Sequence, residues 1–224
     1  MKAVITGGSR GLGLGVAQAF AKRNIPVTLV SRSQSNLDAA IASLPGLGHA
    51  TVAADLSKGD VSIDWTGVTY LVNCAGIAPA SLMVSMADKD IERTIATNLT
   101  SPLKLSKQAI KPLMANGKRE NISPAIVNVS SKLAIPDHCV QSGSTVYSAT
   151  KGALAVFSQS LAHELNGKVR VNCVLPGLMD TDMGRSAGID APMVPVQDVS
   201  ERIVELAVGD ENGVCELIDV EAEN

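Results

Sequence analysis

Tyr147 and Lys151 stand four residues apart in the run Tyr147-Ser148-Ala149-Thr150-Lys151. On a helix, side chains at that spacing share a face. A free phenol titrates near about 10, and an adjacent ammonium stabilises phenolate and is expected to lower that value. This would bring the phenol closer to neutral pH, where acid–base catalysis works best. Shortly upstream, Asn128-Val129-Ser130-Ser131 ends in a hydroxyl. Placed just past a strand, Ser131 can donate a hydrogen bond to a carbonyl oxygen. That oxygen gains negative charge when hydride arrives at carbon, so a fixed donor stabilises the transition state. Alone, these residues would read as a Tyr packed at a helix start and a solvated Lys. What argues for chemistry is the opening of the chain.

That opening is Thr6-Gly7-Gly8-Ser9-Arg10-Gly11-Leu12-Gly13. Thr6 ends an apolar strand-like run, and glycine lets backbone approach a ligand closely. A helix starting near Leu12 would point its first amides at the gap, a setting that favours a pyrophosphate. The bland alternative is a tight turn needing small residues. Dinucleotide folds that take NAD commonly place a carboxylate at the end of the second strand. Here that place reads Val30-Ser31-Arg32-Ser33, with no carboxylate. Arg32, together with Arg10 in the glycine loop, could hold a 2′-phosphate through charge-assisted bonds. NADP(H) is therefore expected, against the alternative of two solvated surface arginines.

These groups need a scaffold, and the chain supplies an alternating one. Strand-like runs fall at Ala3–Thr6, Val27–Ser31, Thr51–Ala54, Tyr70–Cys74, Ala125–Ser130, Val169–Leu175 and Val214–Val220. Most are continuously apolar, as strands covered on both faces are. Helix-like runs fall at Leu12–Arg23, Leu37–Leu44, Asp88–Met114 with a bend near Pro102, Ser144–Leu165 and Val199–Val208. The alternation predicts an α/β, Rossmann-type doubly wound parallel sheet of seven strands in the order 3-2-1-4-5-6-7. Residues 1–224 read as a single domain, with no repeat and no linker. The link between Asp55 and Thr69 is short for a crossover spanning two strands. A dozen extended residues reach roughly 40 Å, whereas a helix of that length covers about 18 Å. An irregular crossover is expected there, with a turn of helix at most.

Composition excludes several classes. Hydrophobic residues make up 46% and charged residues 18%, while aromatics are only 2%, so aliphatic side chains must build the core. A net charge of −3 with no aromatic–basic stripe argues against a nucleic-acid surface. No apolar run is long enough to span a membrane. A strand-like run follows Met1 almost at once, so no cleavable leader is expected within this stretch. Cys74, Cys139, Cys173 and Cys215 are dispersed and lack paired histidines, so packing thiols are expected rather than a metal site. Of the histidines, His163 reads as a helix-surface residue, and His138 is a candidate substrate contact.

Taken together, these motifs resemble the short-chain dehydrogenase/reductase family over nearly the whole chain. The family's glycine motif matches Thr6, Gly7, Gly11 and Gly13, its adenine-contacting Asp matches Asp55, and its Asn-Asn-Ala-Gly matches Asn73-Cys74-Ala75-Gly76 with Cys at the second place. The resemblance implies a catalytic tetrad of Asn98, Ser131, Tyr147 and Lys151. In it Asn98 would sit at a helix irregularity and hold a water in a proton relay, though Asn98-Leu99-Thr100-Ser101-Pro102 could also be a helix break without a role. The implied cofactor set is Thr6, Gly7, Ser9, Arg10, Gly11, Leu12, Gly13, Arg32, Asp55, Leu56, Asn73, Ala75, Gly76, Tyr147, Lys151, Pro176, Gly177 and Thr181, with NADPH/NADP+ as cofactor and no metal. The departures are Cys74, the short crossover and an enlarged segment from Lys132 to Val146.

Leu71-Val72-Asn73-Cys74-Ala75-Gly76, Ser81-Leu82-Met83-Val84 and Asp180-Thr181-Asp182-Met183 look like the 3-oxoacyl-[acyl-carrier-protein] reductase branch, and other stretches like its fungal mitochondrial members. This implies NADPH-dependent reduction of a 3-oxoacyl thioester in fatty-acid synthesis, a homotetramer built on the two long helices, and a mitochondrial matrix setting, with a cytoplasmic one as the alternative. A carrier protein is acidic, so docking would need a local basic patch. Lys118, Arg119 and Lys168 are candidates, against scattered solubilising charges. Two other functions compete: a carbonyl reductase of small ketones or diketones, and a non-catalytic NADPH-binding protein.

Overall fold

In a computed structural model, which describes residues 1–59, 61–138 and 141–220, seven strands form one sheet in the order β3-β2-β1-β4-β5-β6-β7. They are β1 Lys2–Thr6, β2 Val27–Ser31, β3 Ala50–Ala53, β4 Val68–Asn73, β5 Ala125–Val129, β6 Arg170–Pro176 and β7 Cys215–Ile218. Every neighbouring pair is parallel. The strands β4, β5 and β6 are buried at every position, as strands covered on both faces are. The expected fold is the one observed.

Helices cover both faces. α1 (Gly11–Lys22), α2 (Gln34–Ala42) and α7 (Val196–Val208) bury Val16, Phe20, Leu37 and Ile203 on one side. On the other side α4 (Ser101–Glu120) and α5 (Thr145–Leu165) bury Leu105, Leu113 and Leu161 against Val4, Leu71 and Ile126. None of the described helices is long and apolar enough to cross a membrane.

The predicted Asp88–Met114 helix is in fact three pieces that run further. α3 (Asp88–Ile95) passes through a π turn at Ala96–Thr100 into α4, which ends only at Asn121, in the left-handed conformation with φ 52°. Pro102 explains the turn. It has no N–H for the carbonyl of Asn98 four residues earlier, so that one bond of the α ladder is missing where the turn widens. A short helix, α6 (Asp182–Ser186), was not anticipated. Thr181 caps it by accepting from the Gly184 amide at 3.1 Å.

Among its described residues, the β3–β4 crossover holds no helix, as its length demanded. Its side chains still enter the core: Leu56, Val61 and Ile63 are buried against the α4 side. Irregular backbone must find partners for its carbonyls. Asn116 of α4 supplies them, donating from Nδ2 to Trp65 O at 2.7 Å and to Val68 O at 2.8 Å. At the far end of the sheet the buried Arg170 does the same for α7, reaching Leu206 O at 2.7 Å and Ala207 O at 2.6 Å.

Parallel pairing puts the C-terminal ends of all the strands on one edge. In open α/β sheets that edge is where ligands bind, at the point where strand order reverses. Here the reversal lies between β1 and β4.

Candidate active site

Two cavities meet on this edge. The first, about 350 Å³, runs along the glycine loop. Ser9, Arg10, Gly11, Leu12, Gly13, Arg32, Asp55, Leu56, Ala75 and Gly76 line it, with Gly7, Tyr147, Lys151 and Thr181. The second, about 830 Å³, lies beyond it toward β7 and is walled by Ser131, Leu133, Tyr147, Leu178, Met183 and Ile189 among others. Ser130, Tyr147, Met179, Thr181 and Met183 belong to both, so the phenol stands at the junction.

The glycine loop is shaped by close approach. Gly7 has φ 70°, and a Cβ on it would lie 2.9 Å from Ala75 Cα. A Cβ on Gly13 would collide with the Gly7 carbonyl, so only glycine lets α1 begin against the loop. The start of α1 thus faces the cleft with its first amides unspent, the setting a pyrophosphate needs. At the rim, Asp55 accepts from the Ser57 hydroxyl at 2.7 Å and the Ser57 amide at 3.0 Å. Those bonds, aided by Lys58 and Arg32, hold its carboxyl below the usual range. Ser31 leaves its buried hydroxyl without a protein partner beside this rim. The cleft therefore fits a dinucleotide by backbone, rim and unspent polar groups alike.

Not every expected cofactor residue reaches the cleft. Thr6 and Asn73 are buried and line neither cavity. Thr6 Oγ1 instead accepts from the Cys74 and Ala75 amides at 3.0 and 3.1 Å, which fixes the turn after β4. Asn73 Nδ2 donates to Asn128 Oδ1 at 2.8 Å, and Asn128 donates on to Ser158 of α5 at 2.9 Å, a buried chain that ties the helices to the sheet centre. Pro176 and Gly177 line the larger cavity rather than the cleft. Arg10 is not free either. It pairs with Asp182 at 3.1 Å, and Asp182 also accepts from Arg185 at 3.0 Å. Asn36, Arg93 and Thr97 line the cleft as well; no local pattern marked them, because they come from three different elements.

The four candidate catalytic residues do converge. Ser131 follows β5, and its hydroxyl lies close enough to Tyr147 at the junction to favour the phenolate. Lys151, 3% exposed, donates from Nζ to Val129 O at 2.7 Å and sits 5.8 Å from the centre of the Tyr147 ring. Asn98 lies in the π turn at 0% exposure. Its Oδ1 accepts from Ile77 N at 2.9 Å, and its Nδ2 donates to Ile77 O at 2.8 Å and to Thr150 Oγ1 at 3.2 Å. The side chain is spent on holding the Gly76–Ile77 backbone. A Cβ on Gly76 would lie 3.5 Å from both Asn98 Oδ1 and Lys151 Nζ, so the glycine stands between the two side chains.

The titration of the pair differs from expectation. Burial raises the Tyr147 phenol above its ordinary value, and the Ser131 hydroxyl only partly offsets this. Burial also lowers the Lys151 ammonium to about 8, opposed by Cys74 and Cys173. Spacing along a helix revealed that the two groups are neighbours, but not that both lie in a dry setting, where each charged form is disfavoured.

Outside the cleft, Lys132 pairs with Asp219 on the wall of the larger cavity, joining the loop after β5 to the end of β7. His138 is not among the residues lining either cavity, and His163 is exposed. Lys118, Arg119 and Lys168 precede β5 and β6, on the edge of the sheet opposite the cavities. They are badly placed to dock a partner that must deliver substrate to Tyr147. Cys139 falls outside the described residues.

Residues 1–191 match the family model described as "short chain dehydrogenase". A mouse 3-oxoacyl-[acyl-carrier-protein] reductase is 37% identical over 192 residues, covering 81% of this chain and 76% of that protein. The zebrafish (Danio rerio) carbonyl reductase family member 4 is 33% identical over 190 residues, with the same coverage of 81% and 76%. Among solved structures, a 3-ketoacyl-(acyl-carrier-protein) reductase from Brucella melitensis complexed with NADH superposes with a TM-score of 0.84 at 25% identity, covering 98% of this chain and 96% of that one.

Proposed function

The chain belongs to the short-chain dehydrogenase family, and from that premise we propose that it is an NADPH-dependent reductase of 3-oxoacyl thioesters. One observation carries the reading. Tyr147 stands where a cleft suited to a dinucleotide opens into a larger, mainly aliphatic cavity, with Ser131 beside it and Lys151 behind it.

When bound, the reduced nicotinamide supplies hydride to the carbonyl carbon. The chain's own groups do the rest. The Ser131 and Tyr147 hydroxyls hold the carbonyl oxygen and stabilise its growing charge. Tyr147 gives that oxygen a proton. Burial keeps the phenol protonated at neutral pH, the form a general acid needs. Lys151, with an ammonium poised at about 8, can hand on a replacement proton. Asn98 keeps the Gly76–Ile77 floor in place, and its π turn breaks the helix ladder beside this path. Leu133, Leu178, Met183 and Ile189 give the larger cavity the aliphatic walls an acyl chain would fill.

Tests of substrate and cofactor are separate. In an assay of NADPH oxidation, an acetoacetyl thioester should be turned over with a higher kcat/KM than a free ketone or diketone of similar size. The reverse order would favour the carbonyl reductase reading, to which the zebrafish relative lends weight. No oxidation with any carbonyl would leave a binding protein. For the cofactor, Arg32 lines the cleft just past β2, whereas Arg10 is already paired with Asp182, so Arg32 is the stronger of the two phosphate candidates. Arg32→Asp should weaken NADPH binding by about a hundredfold, the scale of a lost charge-assisted contact plus a new repulsion, and leave NADH binding nearly unchanged. Equal affinity for NADPH in variant and parent would remove the 2′-phosphate assignment.

A tetramer through the long helices is part of this proposal. Val156 on α5 is 64% exposed and Met114 on α4 is 38% exposed, apolar side chains that a partner copy would cover.

A further inference from the structure

Two cysteines far apart in the chain are brought together by the sheet. Cys173 of β6 and Cys215 of β7 are direct partners in the parallel register. Residues so paired in neighbouring parallel strands have Cα atoms about 4.8 Å apart and side chains on the same face. That separation falls inside the range of about 4.4–6.8 Å found across disulfides. The two thiols lie close enough to perturb one another's titration. Both are reduced here. Their exposures differ in a useful way. Cys173 is fully buried under α5, near Ser158, whereas Cys215 is half-buried on β7, the last strand of the sheet, which has a neighbour on one side only.

We propose that Cys173 and Cys215 form a thiol modification site, in which Cys215 takes a low-molecular-weight disulfide and Cys173 resolves the adduct into an internal disulfide joining β6 to β7. Exposure makes Cys215 the nucleophile, and its neighbour Cys173 lowers the pKa of the Cys215 thiol, which favours the thiolate. Burial and the Cys215 contact push the Cys173 thiol up, and burial pushes Cys74 up to about 12, so neither competes for the first step. With glutathione disulfide as oxidant, the Cys215 sulfur attacks one sulfur of the reagent. A protein–glutathione disulfide forms and one glutathione thiolate leaves. Cys173 then attacks the Cys215 sulfur, its proton going to the second departing glutathione thiolate. Two protein thiols are oxidised, and one glutathione disulfide is reduced to two glutathiones.

This site acts at a distance from the reductase chemistry and stands whether or not the substrate assignment does. Asp219, four residues past Cys215, carries the ion pair to Lys132 in the larger cavity. The link would therefore pin the strand end from which one cavity wall is built.

The test is a peptide map under non-reducing conditions after the full-length protein is treated with glutathione disulfide. The expected result is a Cys173–Cys215 linked peptide pair, a loss of two titratable thiols, and no retained glutathione. Cys173→Ser should trap glutathione on Cys215, and Cys215→Ser should leave Cys173 unmodified. Three outcomes would overturn the proposal: a stable glutathione adduct on Cys215 of the parent protein with Cys173 free, modification of Cys74 or Cys139 ahead of Cys215, or no reaction at either member of the pair. Thermal melts of both serine variants before treatment show whether they fold, and the parent protein's map decides the matter without them.

Discussion

Tyr147→Phe is expected to lower kcat/KM for carbonyl reduction by about a thousandfold, the middle of the range for loss of a positioned general acid. That corresponds to roughly 4 kcal/mol of transition-state stabilisation. The ring remains, so the wall shared by the two cavities is preserved and affinity for the dinucleotide should change little. The Ser131 hydroxyl stays in place, and its interaction with the carbonyl oxygen should account for residual turnover. The measurement is steady-state kinetics beside a direct binding titration. A variant that kept a tenth or more of the parent's activity would remove Tyr147 as the acid. One that lost cofactor binding in proportion would make it a packing residue.

The second large effect concerns Lys151. Lys151→Met should cut reduction by a factor of at least a hundred through loss of the replacement proton, and it should also change how stability depends on pH. The folded pKa of about 8 lies below the ordinary lysine value of 10.5. Between those two values the unfolded chain still binds a proton that the folded chain has released, so stability rises with pH across this window. Below pH 8 the burial cost is constant and fully present. Its total is about 3 kcal/mol. The parent should therefore gain about 2 kcal/mol relative to Lys151→Met between pH 7.5 and 9.5, seen as a relative rise in Tm of about 5 °C. Parallel melting curves for the two proteins over that range would show that Lys151 is charged or neutral throughout. The same titration predicts that parent reduction slows as pH rises through 8, as the ammonium that resupplies Tyr147 is lost.

Much of this architecture could be read from residue order. The strand-like runs Tyr70–Cys74, Ala125–Ser130 and Val169–Leu175 fell on strands buried along their whole length, the few polar residues in them included. The dozen residues after Asp55 proved too few for a helical crossover, by reach alone. The glycines at 7, 11 and 13 and the Tyr147–Lys151 pair converged on one edge because parallel strands all end there. What could not be read depends on distant partners. Nothing near Arg10 indicates that Asp182 will claim it, and nothing near Lys132 points to Asp219. Thr6 and Asn73 carry the family pattern yet bond within the scaffold, Thr6 through Oγ1 and Asn73 through Nδ2. The direction of the Tyr147 shift was lost for a related reason. Spacing shows which groups are adjacent, but desolvation depends on everything packed around them.

The π turn at Ala96–Thr100 has an evolutionary corollary. A wide turn of this kind is what one additional codon inserted into an ordinary helix would produce. Deleting a codon there would restore regular winding, but it would rotate every preceding residue by about 100° relative to α4. Asn98 could then no longer clasp the Ile77 backbone. Gains and losses of single residues, tolerated in most surface helices, are thus closed to this stretch of the chain, and its length is expected to be inherited more strictly than its composition.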